Sequence, residues 1–209
     1  MFITLEGIEG SGKTTQIPLI VEFLESKGHT CAVTREPGGT LIGEKIRAIL
    51  LDPASKDLDP LAELLLYTAD RRQHVEAMVY PLLAAGKTVL CDRYFDATVA
   101  YQGFARGLDI DLINGLHKMM VDDLKPDITL LLDLPVELGL SRAWKQIDNG
   151  SRTGLETRFE EEQMNFHEKV RAGYLELARR ESQRFHVVDA SGDEKQVYRE
   201  IVQILSDCL

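Results

Sequence analysis

Gly7 to Thr14, read as GIEGSGKT, have the types and spacing of G-x-x-x-x-G-K-[ST], a loop that cradles phosphate. Glycine allows positive φ and lets backbone N–H groups close on phosphate oxygens with no Cβ in the way. Lys13 brings an ammonium to the β and γ phosphates, and the Thr14 hydroxyl suits Mg²⁺. Between the glycines stand Ile8, Glu9, Gly10 and Ser11, so Lys13 is the loop's one cation. Transfer of a phosphoryl group spreads negative charge over its equatorial oxygens, and a loop with a single lysine needs help from an arginine elsewhere.

Such a loop works only between a strand and a helix. Phe2–Leu5 has strand character, and Ile17, Leu19, Ile20, Val21, Phe23 and Leu24 trace an apolar helical face, with Pro18 expected to kink that helix without breaking it. Further strands are expected at Cys31–Thr34, Thr88–Asp92, Ile128–Leu132 and Phe185–Val188, separated by helical periodicity. This alternation predicts an α/β fold with a five-stranded parallel sheet and helices on both faces, and ligands beyond the carboxyl ends of the strands. The 209 residues contain no Gly/Ser/Pro-rich linker or repeat and read as one domain, 1–209. A net charge of −10 argues against nucleic acid or an anionic membrane as the main partner. Cys31, Cys91 and Cys208 have no paired spacing, no apolar run is long enough for a membrane span, and a cytoplasmic location is expected.

Three constellations surround the loop. Asp92 ends its strand where phosphate-loop proteins place an acid that orients Mg²⁺, although capping of the next helix or pairing with Arg93 would also account for it. Arg93 itself has the fork geometry for a second phosphate. A long helix is expected from about Asp59 to Ala84, with Leu61, Leu64, Leu65, Thr68, Val75, Val79 and Leu82 on one stripe and Tyr67, Arg71 and His74 on its flank; Arg72 falls on the apolar stripe without explanation. Tyr67 and Arg71 suit a flat heterocycle, one by stacking and one by bonding a carbonyl, or else form a surface cation–π contact. Thr98, Tyr101 and Gln102 share a helical face with hydroxyls and an amide, or simply belong to an amphipathic helix. In RAWKQIDNGSRTGLETRFEEE, Asn149-Gly150-Ser151 and Gly154 interrupt a helix and predict an excursion carrying Arg142, Lys145, Arg152 and Arg158, either an arginine-bearing lid or a solvated basic loop. A regulatory GTPase-like switch would read guanine through [NT]-K-x-D, which this chain lacks.

EGIEGSGKTT, TREPGGT, DRYFDATVAYQG and the late RFE together resemble thymidylate kinases of the bacterial type, within the nucleoside monophosphate kinases, across essentially the whole chain. The resemblance implies a P-loop NTPase fold with a lid at about 142–160, ATP with Mg²⁺, dTMP as acceptor giving dTDP for dTTP biosynthesis, and a homodimer. Residue by residue, it implies an ATP site of Gly7, Ile8, Glu9, Gly10, Ser11, Gly12, Lys13, Thr14 and Thr15 with Arg142, and a metal held by Thr14 and Asp92. It implies an acceptor site with Glu36 and Pro37, Tyr67 stacked on thymine, Arg71 on its carbonyl edge, Thr98 and Gln102 facing the base, and Arg93 on the phosphate. Tyr101 would lie where a ribose 2′-hydroxyl projects, and Glu9 near the 3′-hydroxyl. Lys13, Arg93 and a lid arginine, Arg152 or Arg158, carry the catalytic charge. Two departures bear on that arginine: Thr157 replaces the usual acid before R-x-E, and Ile147–Ser151 looks like an insertion. Arg152, between Ser151 and Thr153-Gly154, is favoured over Arg158.

Overall fold

A computed structural model describes residues 1–150, 153 and 155–209. Five short strands, β1 (Phe2–Glu6), β2 (Cys31–Arg35), β3 (Thr88–Asp92), β4 (Ile128–Asp133) and β5 (Phe185–Asp189), form one parallel sheet in the order β2-β3-β1-β4-β5. Each lies within a residue of its expected place. β1 is buried along its whole length because it sits in the centre with helices above and below.

The chain moves to one side from β1 to β2 and back through β3, β4 and β5. Right-handed crossovers therefore place α1 (Lys13–Ser26) on one face, where it packs with the last helix, α9 (Glu194–Cys208), and the intervening helices on the other. Register aligns Leu5 with Asp92 and Arg35 with Asp92, so three strands deliver their chemistry to one edge of the sheet. α1 runs unbroken through Pro18. Asp193 and Gln196 close a capping box at the start of α9.

The long helix expected from Asp59 to Ala84 is α3 (Pro60–His74), a π-helical turn at Val75–Val79 and α4 (Tyr80–Ala84). Its stripe divides. Leu64, Thr68, Val75 and Val79 are buried, whereas Leu61 and Leu65 are 44% and 50% exposed. The second pair lies on the side of the helix that also carries Arg72, which is exposed, donates to the Met120 carbonyl at 2.8 Å and pairs with Glu76 at 2.6 Å. Arg72 thus belongs to an outer face shared with α6 (Ile110–Val121), not to the core.

Two further differences concern the site. After α5 (Phe95–Thr98) the chain makes a π-helical turn at Val99–Ala105, which alters the expected i, i+3, i+4 spacing of Thr98, Tyr101 and Gln102 but keeps all three buried. α7 (Val136–Asp148) continues past Arg142 and Lys145, which therefore stand on a helix and not in an excursion. The connection from α7 to α8 (Met164–Arg180) is not simply solvated either: Thr157, Arg158, Phe159 and Glu160 are buried.

Candidate active site

The loop from Gly7 to Lys13 turns out of β1 and opens α1. Gly7, Gly10 and Gly12 all take positive φ, and a Cβ on Gly10 would strike the Gly139 carbonyl of α7. Lys13 Nζ donates to the carbonyls of Gly7 and Ile8 at 3.0 and 3.1 Å and to Ser11 Oγ at 3.2 Å. Gly7 and Ile8 thus back the loop, while Glu9, Gly10, Ser11, Gly12, Lys13, Thr14 and Thr15 line the cavity above it. Burial, and next the charge of Arg93, pull the Lys13 ammonium down to about 8.

Asp92 lines the same cavity. Its Oδ1 is buried and takes no hydrogen bond among the described residues; it caps no helix, since Tyr94 stands at the N-cap of α5, and it pairs with no cation there. A hard-cation site asks for such a free carboxylate oxygen, with the exposed Thr14 hydroxyl on the facing loop. The donor set fits Mg²⁺.

Arg93 follows directly, with φ 65°, a left-handed conformation that a non-glycine residue keeps only when its neighbours enforce it. They do: Arg93 N donates to the Leu5 carbonyl at 3.0 Å and Tyr94 N to Glu6 Oε1 at 2.8 Å. Glu6 also accepts from Tyr174 Oη at 2.8 Å, and burial, then the charge of Asp96, push its carboxyl up to about 7. The Arg93 guanidinium lies over the Tyr101 ring at 5.0 Å and donates to Glu9 Oε1 at 3.0 Å and Tyr174 Oη at 3.2 Å. Glu9 Oε1 also accepts from Tyr101 Oη at 2.5 Å, and His167 Nδ1 lies 3.3 Å from Oε2 without the alignment of a hydrogen bond. Burial would raise the Glu9 carboxyl, but Arg93, His167 and Tyr101 together more than reverse this and hold it well below the usual range. Glu9, Arg93 and Tyr101 are therefore one preorganised cluster beside the phosphate loop.

A second cluster hangs from α3. Arg71 is 3% exposed; its Nε donates to Glu36 Oε2 at 2.9 Å, and Nη2 to Thr98 Oγ1 at 2.8 Å and the Tyr94 carbonyl at 3.2 Å. It is no surface contact, and the rings beneath its guanidinium are Tyr94 and Phe95, not Tyr67. Glu36 uses its other oxygen on His74, whose Nε2 meets Thr34 Oγ1 at 2.7 Å. His74 locks the Glu36–Gly39 loop from behind and does not line the cavity. Glu36, Pro37, Tyr67, Arg71, Arg93, Thr98, Tyr101 and Gln102 do line it, so every residue expected at the acceptor meets in one place with the phosphate loop.

The lid residues divide. Arg142 donates to the carbonyls of Ala190, Ser191 and Gly192, clamping the turn after β5, and it does not line the cavity. Arg158 is also outside the lining: it is buried, with Nη2 on Glu63 Oε2 and Nε on the Leu50 carbonyl, each at 2.5 Å. Arg152 lies outside the described residues. Sequence reasoning missed Arg35, Arg47, Glu156 and Glu160, which line the cavity, and Glu6 and Glu63 behind it. Arg47 on α2 (Leu41–Leu51) grips Glu156 through two bonds, at 3.0 and 2.7 Å, across 109 positions of sequence that carry no local signal of the pairing. Glu63 had one: a lone acid within the apolar run LAELLLY.

A family model described as thymidylate kinase matches residues 5–201. The chain belongs to the thymidylate kinase family. Thymidylate kinases from Desulfosudis oleivorans and Desulforapulum autotrophicum are 58% and 57% identical to it, covering 98% and 97% of this chain and 96% and 89% of their own lengths. A crystal structure of thymidylate kinase from Ehrlichia chaffeensis superposes with a TM-score of 0.77 at 37% identity, over 99% of this chain and 98% of that one. The family is one of nucleoside monophosphate kinases that phosphorylate dTMP to dTDP, and this chain has its five-stranded P-loop fold. No helix among the described residues is long and apolar enough to cross a membrane.

Proposed function

We propose that this chain transfers the γ-phosphoryl group of ATP to dTMP in a single in-line step, giving dTDP and ADP. The observation that carries this reading is the shared cavity: the phosphate loop with Lys13 and the Arg93, Arg71, Tyr67 and Gln102 cluster open onto the same space. An oxygen of the dTMP phosphate forms the new bond to Pγ as the bond from Pγ to the bridging oxygen of ADP breaks. That oxygen is already ionised, so no general base is needed. Catalysis rests on alignment and charge neutralisation.

In this reading Gly7–Thr15 and Lys13 hold the donor phosphates, and Arg93 holds the acceptor phosphate in the orientation that Glu9 and Tyr174 impose. Tyr67 stacks on the thymine and Arg71 bonds its carbonyl edge, kept in place by Glu36. Tyr101 fills the space of a 2′-hydroxyl, and its bond to Glu9 fixes the ring there. Thr14 and Asp92 would hold Mg²⁺, which neutralises charge on the donor phosphates when bound. The clamp made by Arg142 on the turn after β5 supports a structural part for it in the donor site.

Steady-state rates of ADP formation with dTMP, dCMP, UMP, thymidine and shikimate test the acceptor. dTMP is expected to exceed dCMP and UMP by roughly tenfold to a hundredfold or more, since an unpaired polar contact in a built site typically costs ~1–3 kcal/mol. Equal rates with dTMP and dCMP would mean that Arg71 does not read the base, and turnover confined to thymidine or shikimate would overturn the assignment.

We further propose a homodimer formed through α3 and α6. Leu61, Leu65, Leu112 and Met119 are exposed there, beside a shallow groove lined by Leu65, Ala69, Leu116 and Met120. Sedimentation at micromolar concentration should show a species of twice 23.5 kDa; a 23.5 kDa species alone would count against it.

A further inference from the structure

Glu63 is a fully buried acid with no place in the mechanism so far. Its Oε1 accepts from Gln102 Nε2 at 2.7 Å, its Oε2 from Arg158 Nη2 at 2.5 Å, and Arg106 approaches both oxygens at 3.4 Å. We propose that Glu63 is a positioning residue for base selection, because it forces the side-chain amide of Gln102 to present oxygen, not nitrogen, to the acceptor base. The proposal rests on the reading that Gln102 faces the base.

The argument is one of donor and acceptor inventory. Between two guanidinium groups, which can only donate, the Glu63 carboxylate serves as an acceptor. The two ends of a glutamine amide are nearly the same size, and only their partners decide which way it turns. Gln102 must therefore turn its NH₂ toward Glu63. Its Oε1 accepts from no described residue and is left on the side of the cavity that Gln102 lines.

A fixed acceptor there matches one kind of pyrimidine. Thymine carries a proton on N3 and a carbonyl on C4; cytosine carries a lone pair on N3 and an amine on C4. Oε1 meets the N3–H of thymine as a hydrogen bond and the N3 of cytosine as two opposed lone pairs. Beside it Arg71, a donor only, suits a carbonyl and opposes an amine. Turning the Gln102 amide over would reverse its half of this pattern. Arg158 and Arg106 restrain the carboxylate that prevents the turn.

The test compares kcat and KM for dTMP and dCMP in the wild-type protein, Glu63→Gln and Gln102→Leu, with thermal unfolding and circular dichroism of each. Glu63→Gln can offer either an oxygen or an NH₂ to Gln102, so the orientation is no longer forced. The expected result is a fall of about tenfold or more in the dTMP-to-dCMP ratio of kcat/KM, carried mainly by a higher KM for dTMP and a lower one for dCMP. A merely structural role would lower activity toward both acceptors together and leave the ratio alone. An unchanged ratio in folded Glu63→Gln, with a collapsed ratio in Gln102→Leu, overturns the role of Glu63 while the base-facing reading stands. An unchanged ratio in Gln102→Leu overturns that reading and the proposal with it. If Glu63→Gln does not fold, Glu63→Asp retains the charge for the two arginines, draws it back by one methylene from Gln102, and is judged by the same ratio.

Discussion

Replacing Lys13 by alanine should abolish phosphoryl transfer while leaving the fold intact. Lys13 is the one cation of the phosphate loop, and removal of a preorganised charge from a developing phosphoryl group costs about 10²–10³-fold or more in kcat. Its side chain bonds two carbonyls and one hydroxyl and no carboxylate, so the substitution breaks no direct ion pair of the fold. Circular dichroism of Lys13→Ala should match the wild type; near-normal turnover would sink the phosphate-loop mechanism. The same side chain makes ATP binding depend on pH. With its pKa pulled down to about 8 by burial and by Arg93, Lys13 is mainly an ammonium at neutral pH and mainly an amine about one unit above 8. Triphosphate favours the ammonium and raises its pKa, so binding takes up a proton above pH 8. The apparent affinity for ATP should weaken there by up to about tenfold per pH unit and stay nearly level below it. Lys13→Ala should lose this dependence, and an equally steep dependence in Lys13→Ala would assign it to another group.

Arg152→Ala and Arg158→Ala should fail in different ways. Arg158 is bonded to Glu63 and the Leu50 carbonyl, away from the cavity lining. Its removal leaves the buried Glu63 carboxylate with the Gln102 amide and the longer contacts of Arg106, and breaking a buried pair typically costs about 3–5 kcal/mol. The expected result is a markedly lower Tm. Arg152 stands in sequence among Ser151, Thr153 and Gly154, small residues that suit a segment closing over a transferring phosphoryl group. We expect Arg152→Ala to lower kcat and kcat/KM together by roughly 10³-fold with an unchanged Tm, the signature of an interaction made mainly in the transition state. If Arg158→Ala loses kcat at an unchanged Tm, while Arg152→Ala alters only KM for ATP, the two roles are reversed.

Much of this site was legible in the sequence, because the relevant signals are local. A phosphate loop, an acid ending a strand and a run of apolar residues each declare themselves within a few positions, and the five strands fall within a residue of where those signals put them. Pairings across the chain have no such signature. Arg158 meets Glu63 across 95 positions and Arg47 meets Glu156 across 109; the neighbouring Phe159-Glu160 suggested a structural pair for Arg158, but nothing nearby named Glu63 as its partner. The two π-helical turns are a similar case, since helical periodicity assumes a constant turn. The split of the α3 stripe was hidden because an apolar face turned to the core and one turned to another helix look alike in composition; Arg72, unexplained as a core residue, was the sign of the difference.

The central claim, direct in-line transfer to dTMP, is tested most directly by the stereochemistry at phosphorus. ATP made chiral at the γ-phosphorus with sulfur and oxygen isotopes, turned over with dTMP, should give dTDP with inverted configuration at the transferred phosphorus, because one in-line displacement inverts once. Retention would require two displacements through a phosphorylated side chain, and would contradict the account.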